Sequence, residues 1–159
     1  EKTPIFNPLA RAVFAGIMLH HTRAHLYRAV LEAVCYGFQH HLELLAAAGR
    51  PVRRALATDG GSRSDIWMQI AADITGRRVE VVAGEAGSAL GAAFVAGIGA
   101  GLFGRWGEVT RFAAVRRAFE PDPAAAATYR DGYAAYRELY DRLGPLFPAL
   151  QRIEARETD

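Results

Sequence analysis

Residues 53–82 decide the fold, and they read RRALATDGGSRSDIWMQIAADITGRRVEVV. Two short segments within this stretch, residues 53–58 and 78–82, are bounded by Gly or Pro and predict two strands. Between them the sequence predicts a helix that runs to Thr75. A strand, a turn, a helix and a second strand in this order are typical of parallel α/β architecture.

Helices are predicted on both sides of this unit. The helix inside it has Ser64 or Asp65 as its cap and stops at Gly76, because a side-chain oxygen starts a helix and a glycine ends one. The other predicted helices run from a cap at Thr22 to about Ala48, from a turn at residues 83–87 to about Gly101, and onward from a cap at Asp122 with Pro123 at its first position. Residues 1–21 are predicted to form an ordered loop, and residues 104–120 to be irregular.

Two of these helices carry patterned side chains. The first helix is apolar over a wide arc, which predicts cover by more than one neighbour. The last helix presents four tyrosines at steps of four, three and four, which predicts one packing face. Those tyrosines are Tyr129, Tyr133, Tyr136 and Tyr140.

The predicted elements do not complete a sheet. A parallel sheet needs more than two strands and cover on both faces. The sequence therefore indicates either that another chain completes the sheet or that the remaining strands belong to a larger protein.

Composition excludes several classes of protein. The chain has 159 residues, 51% of them hydrophobic and 23% charged, which is a globular composition and not a disordered one. A formal charge of +2 is too small to indicate nucleic-acid binding. The single cysteine, Cys35, predicts a buried thiol and a reducing, cytoplasmic setting. Residues 86–103 are uncharged, but their Ala and Gly content favours a helix buried inside a protein over a membrane span.

The glycine loop, residues 59–62 (Asp59-Gly60-Gly61-Ser62), is the candidate binding site. Its two glycines allow a tight turn and let a ligand approach a backbone without Cβ atoms. The helix that follows has unpaired N–H groups at its start, which favour anionic or polar ligands, and ligands of open α/β sheets gather at this end of the strands. The pattern is neither a P-loop nor a GxGxxG sequence, so a simple tight turn is the alternative.

No catalytic or metal-binding residues are predicted. His20, His21 and His25 lack a carboxylate or cysteine at a ligand-like spacing, which favours a structural role near the helix start over a metal site. The pairs Arg77-Arg78 and Arg116-Arg117 are short and separated, so they are expected to be solvated surface.

The region before and within the first helix resembles the signature of the FGGY carbohydrate kinases. Its first half is matched by Ala12, Phe14, Gly16 and Ile17, and its second half by His25, Leu26, Ala29, Val30, Leu31 and Glu32. The glycine loop resembles the nucleotide loop of that family, and Ala89-Leu90-Gly91-Ala92-Ala93 resembles a later Ala/Gly helix. The resemblance covers residues 1–105 well and the C-terminal helix loosely.

The resemblance implies an α/β fold that is part of an RNase H-like domain of the actin and sugar-kinase superfamily, with few parallel strands packed by helices and a long C-terminal helix. Residues 1–150 would form the C-terminal, nucleotide-binding domain without its first strands, and residues 151–159 a frayed tail. Members of the family transfer the γ-phosphate of ATP to a hydroxyl of a sugar or polyol, with the general base in the other domain.

The resemblance also implies that Gly60, Gly61, Ser62 and Asp65 line the nucleotide site. The enzyme would require ATP and Mg²⁺. A part of the protein outside this chain would hold most of the Mg²⁺ site and the pentulose or related substrate. A homo-oligomer is compatible with this interpretation. Asp59 stands where a third Gly is common in pentulose kinases, and Ser62 stands where Ala is usual, so the resemblance does not identify the sugar substrate.

Three expectations follow from this interpretation. The isolated chain binds ATP weakly and phosphorylates nothing, and Gly61→Val weakens nucleotide binding without unfolding the complete enzyme. The alternatives are an interaction module without a nucleotide and an actin- or chaperone-like ATPase, against which the signature at residues 12–32 argues.

Overall fold

The computed structural model describes residues 4–83 and 87–156. The chain forms two compact units. The sheet unit comprises Arg53–Asp122, and the helical unit comprises Glu1–Val52 together with Pro123–Asp159.

The sheet unit contains three strands in the order β1-β2-β3 among the described residues. β1 (Ala55–Ala57) pairs in parallel with β2 (Val79–Val82), as the sequence predicts. β3 (Val115–Phe119) pairs with β2 in antiparallel orientation, so the sheet is mixed, and the expectation that residues 104–120 are irregular throughout was wrong. Adjacent arginines at positions 116 and 117 obscured the strand pattern.

Helix α2 (Asp65–Thr75) forms the crossover between β1 and β2. Its predicted boundaries are confirmed: the Ser64 side chain accepts a hydrogen bond from the Trp67 backbone N–H at 3.3 Å, and Gly76 ends the helix in the left-handed region with φ 61°. The apolar face of α2 and the central strand supply the core of this unit. Its buried members are Met68, Ile70, Ala71, Ala72, Val79 and Val81.

Helix α3 (Gly87–Gly99) follows β2, and residues 84–86 of the predicted turn at 83–87 lie outside the described residues. Only Phe94 and Gly97 of α3 are buried, so the described residues of this chain alone do not provide the burial on several sides that the sequence predicts. The close approach expected of its small residues does occur, because a Cβ at Gly97 would lie 2.6 Å from the Phe103 ring. None of the helices in the described part of the chain is long and apolar enough to cross a membrane.

The helical unit is built on α1 (Arg23–Ala47), α4 (Ala126–Leu143) and α5 (Phe147–Arg156). The bounds of α1 agree with the prediction, whereas α4 begins later than a cap at Asp122 would place it. The Asp122 backbone N–H donates to Asp73 Oδ1 at 2.8 Å, and residues 123–125 form a turn before the helix. Helix α5 includes residues 151–156, which the sequence analysis assigned to a frayed tail, so that assignment stays a prediction; residues 157–159 lie outside the described part.

The four tyrosines of α4 form the predicted packing face. Tyr129 is buried and accepts a hydrogen bond from Arg28 Nη2 at 2.6 Å. The Tyr133 and Tyr136 rings lie 6.0 and 5.5 Å from the Tyr36 ring, and burial raises the pKa of Tyr36 to about 12. The predicted burial of Cys35 is also confirmed.

The remaining apolar surface of α1 is uncovered in this chain. We call its exposed side chains, Tyr27, Val30, Val34 and Phe38, the α1 face; they are 40–68% exposed. The expectation that more than one neighbour covers α1 is therefore not met by the described residues alone.

Candidate functional site

The topology of the sheet unit brings three strand ends to one edge. β1 and β2 are parallel, so their carboxyl ends lie together, and the antiparallel β3 begins there. A cavity of about 180 Å³ lies at this edge. Among the described residues it is lined by Asp59, Gly60, Ser62, Arg63, Val81, Val82, Arg116 and Arg117. Two of the four predicted site residues, Gly60 and Ser62, are in this lining.

The two glycines of the glycine loop have different surroundings. A Cβ at Gly60 would meet no atom within 4 Å, so this position is open. A Cβ at Gly61 would lie 3.1 Å from the Trp67 ring, tighter than ordinary van der Waals contact. Gly61 thus faces the protein, and the expectation that Gly61→Val leaves the fold intact conflicts with this packing.

Asp59 occupies a backbone conformation that favours glycine. Its φ is 64° and its ψ is −159°, a combination that is essentially restricted to glycine, so the backbone of Asp59 is strained. Its carboxylate lies against Gly87 at the start of α3, where an added Cβ would collide with it. Asp59 therefore turns the chain after β1 and also fills the space beside the first residue of α3.

Ser62 supports the turn from inside. It is buried, its hydroxyl donates to the Asp59 carbonyl at 2.7 Å, and its backbone N–H lies 3.2 Å from the same oxygen. The hydroxyl hydrogen is therefore used within the glycine loop, and Ser62 stabilises the shape that Gly60 presents to the cavity.

Asp65 is held by an arginine that the sequence analysis assigned to solvated surface. The Arg117 guanidinium forms an ion pair with the Asp65 carboxylate and donates to the Ser62 carbonyl at 2.9 Å. The Arg117 side chain is only 32% exposed, so its assignment to solvated surface was wrong. Arg116 is exposed, as the sequence predicts. The signal that could have identified Arg117 is the segment Val115–Phe119, once it is recognised as a strand beside β2.

A second charge cluster stabilises the sheet. Glu80 on β2 is buried and pairs with Arg54 and with Arg78, whose Nε lies 2.9 Å from Glu80 Oε1. Hydrogen bonds from Arg54 and then Arg78 hold the pKa of Glu80 below its usual value near 4.5. The pair Arg77-Arg78 is therefore not simply solvated, since Arg78 also pairs with Glu120.

Two of the three histidines near α1, His21 and His25, have the structural role that the sequence predicts. His25 Nδ1 accepts from the Thr22 backbone N–H at 3.1 Å, and His21 Nδ1 accepts from the Met18 backbone N–H at 2.8 Å. In the described ranges, no three His, Cys, Asp or Glu side chains are grouped so that they could hold a metal ion.

The cavity lining does not fit a Mg²⁺ site. Mg²⁺ prefers oxygen ligands, and Asp59 is the one carboxylate among the described lining residues, beside three arginines. No step is therefore assigned to a metal at this edge, and the expectation that Mg²⁺ is held mostly by another part of the protein stays a prediction.

Comparison with known proteins places this geometry in a family. Xylulose kinase of Escherichia coli (strain K12) is 35% identical over 147 residues, 92% of this chain and 30% of the relative. Xylulose kinase of Bacillus subtilis (strain 168) is 31% identical over 152 residues, 95% of this chain and 30% of the relative. The chain thus spans about 30% of the length of these curated relatives.

Solved structures agree. The crystal structure of xylulose kinase from Rhodospirillum rubrum superposes with a TM-score of 0.79 at 44% identity, over 89% of this chain and 29% of that one. The predicted α/β fold of the sugar kinases is thereby confirmed. Residues 1–100 match the C-terminal domain of the FGGY family of carbohydrate kinases. The chain therefore belongs to the FGGY family of carbohydrate kinases.

Proposed function

We propose that this chain is the nucleotide-binding part of an ATP-dependent kinase that phosphorylates a hydroxyl of a pentulose or a related sugar or polyol. The observation that carries the proposal is the cavity beside the glycine loop, which combines an open glycine with three guanidinium groups. Kinship with xylulose kinases favours a ketopentose as the acceptor. A cytoplasmic enzyme, supplied with ATP, fits this role.

The chemistry of the cavity suits an anionic nucleotide. Gly60 leaves room for a ligand to approach the backbone, because no Cβ stands in the way. Arg63, Arg116 and Arg117 outnumber Asp59 in the lining, and an excess of positive charge remains after Arg117 is paired with Asp65. Arginine is well matched to phosphate because its planar donors bind two oxygens at once.

The size of the cavity argues that this chain holds only part of the nucleotide. Sites for ligands of drug size enclose about 300–1,000 Å³, whereas this cavity encloses about 180 Å³. The remainder of the ligand would contact another part of the protein. This supports the expectation that the isolated chain binds ATP weakly.

The exposure of the α1 face also supports a division of the enzyme between this chain and another part of the protein. Soluble proteins seldom leave large contiguous apolar patches exposed without a partner. Phe14 and Ile17, which match the family signature before α1, are 49% and 57% exposed as well. We therefore propose that the rest of a longer kinase covers these side chains and supplies the sugar site and the general base.

Phosphoryl transfer depends mainly on positioning and on stabilising charge. In this proposal Gly60 admits the nucleotide to the cavity. The cavity arginines attract its negative charge, and Ser62 keeps the glycine loop in shape. The residues that activate the acceptor hydroxyl and hold Mg²⁺ lie outside this chain.

A coupled assay tests the proposal. The complete protein and the 159-residue chain are compared for ADP formation with xylulose and other pentuloses, glycerol, or no acceptor. We expect acceptor-dependent ADP formation from the complete protein and none from the chain alone. ADP formation at a rate that does not depend on any sugar or polyol would instead favour an actin- or chaperone-like ATPase. The absence of nucleotide binding would favour an interaction module.

A further inference from the structure

We infer that Arg117 is a positioning residue that fixes the glycine loop for the nucleotide. The inference rests on the proposed function, because it gives the loop a ligand to receive. It concerns a residue on β3, a strand outside the loop and outside the crossover helix.

Arg117 links three elements of the sheet unit. It lies on β3 opposite Val81 of β2, so the sheet fixes its backbone. One nitrogen donates to the Ser62 carbonyl at 2.9 Å, and another pairs with Asp65, the first residue of α2. A single guanidinium therefore ties β3 to both ends of the connection between the glycine loop and α2.

The surroundings of Arg117 show that it is held in this place. Its guanidinium carbon lies 5.9 Å from the centre of the Phe119 ring, within reach of a cation–π interaction. Its Nε is buried without a hydrogen-bond partner among the described residues, which costs free energy. A guanidinium that served only as a surface charge would expose this nitrogen to solvent. The contacts with Ser62 and Asp65 offset that cost.

This arrangement changes the role expected of Asp65. The resemblance implied that Asp65 lines the nucleotide site, and the structure engages its carboxylate with Arg117 while leaving the side chain 64% exposed. If Asp65 acts by holding Arg117, removing either partner should weaken nucleotide binding by the same route. Removing both should then cost little more than removing one.

Two measurements on the complete kinase test the inference. The first is hydrogen exchange at the backbone amides of residues 60–64 without nucleotide, in wild type, Arg117→Ala and the control Arg53→Ala. Arg53 is an exposed arginine of the same unit that lies outside the cavity lining. We expect exchange in the loop to become about tenfold faster in Arg117→Ala alone, the effect of losing roughly one charge-assisted hydrogen bond.

The second measurement is the kinetics of the same variants with Asp65→Asn and the double variant. Arg117→Ala should raise KM for ATP about tenfold, with kcat and the sugar KM changed less than twofold, as expected for one lost charged contact. The double variant should match Arg117→Ala, and Arg117→Lys, which keeps the charge without the fork, should be intermediate.

The outcomes separate the inference from the proposed function. Unchanged loop exchange in Arg117→Ala would overturn the inference, because a raised KM for ATP would then reflect only the charge lost beside the nucleotide. Additive effects of Arg117→Ala and Asp65→Asn would overturn it as well. If Arg117→Ala does not fold, Arg117→Lys decides: wild-type exchange and KM would overturn the inference, and faster exchange with a raised KM would support it. A wild type that shows no ATP-dependent phosphorylation overturns the proposed function, whatever the exchange data show.

Discussion

Gly60 offers the sharpest test of the nucleotide site, because the structure separates it from its neighbour Gly61. A side chain at Gly60 enters open space, whereas one at Gly61 meets the Trp67 ring at 3.1 Å. Gly60 also lines the cavity, and its φ does not require glycine. Gly60→Val should therefore obstruct a ligand without destabilising the protein. Gly61→Val should destabilise the protein, because its side chain meets the Trp67 ring.

The expected magnitudes follow from these contacts. Gly60→Val should change the free energy of unfolding by less than about 1 kcal/mol, since no atom has to move. Its effect on nucleotide affinity should be about tenfold or more, because an overpacked contact costs about 1–3 kcal/mol. Gly61→Val, which adds two further methyl groups beside the Trp67 ring, should lower the free energy of unfolding by a similar 1–3 kcal/mol, roughly 2–4 °C in Tm for each kcal/mol.

The assay combines calorimetric titration of an ATP analogue with thermal unfolding of the complete protein. Gly60→Ala serves as a graded control, with a smaller loss of affinity and a wild-type Tm. Wild-type affinity in Gly60→Val would refute the assignment of the cavity to the nucleotide. A large loss of stability in Gly60→Val would refute the claim that this position is open.

Four further predictions concern stability. Glu80→Gln should lower Tm at pH 7, because the variant loses the ion pairs with Arg54 and Arg78 that depress the pKa of Glu80. These pairs stabilise the wild type above the usual pKa near 4.5 and are lost as the pH falls, so the difference in Tm between wild type and variant should shrink in acid. Gly97→Ala should lower the free energy of unfolding by about 1–3 kcal/mol through collision with Phe103, whereas Gly91→Ala, where a Cβ meets nothing within 4 Å, should not; equal Tm values for the two would contradict the packing. Tyr129→Phe should cost about 1–2 kcal/mol by removing the hydroxyl that contacts Arg28 and Glu32, with Tyr27→Phe at an exposed ring as the neutral control in chemical denaturation. Phe38→Asp should improve the solubility of the 159-residue chain and destabilise the complete protein, and equal tolerance in both would show that nothing covers the α1 face.

The sequence predicted the elements that local chemistry specifies. The bounds of α2 follow from Ser64 and Gly76, whose capping roles depend on their own side chain or backbone freedom. The parallel pairing of β1 and β2 follows from a crossover helix of ordinary length. The sequence predicted open approach at both glycines of the loop, and only Gly60 leaves a Cβ in open space, because Gly61 packs against the Trp67 ring.

The features that the sequence did not predict are β3, the role of Arg117 and the start of α4, and all three depend on tertiary contacts. β3 has little strand pattern of its own and is defined by its pairing with β2. Arg117 could not be distinguished from Arg116 without that pairing, since alternation places only one of them against the glycine loop. The start of α4 was misplaced because the Asp122 backbone hydrogen-bonds to Asp73, far away in sequence.

Photolabelling tests the central claim most directly. The complete kinase is irradiated with an ATP analogue that carries a photoreactive azidoanilide group on its terminal phosphate, with and without excess ATP, and the modified peptide is identified by mass spectrometry. We predict an ATP-protected label on the segment that contains Gly60 and Ser62. Protected labelling confined to other segments, with residues 59–65 recovered unmodified, would contradict the account.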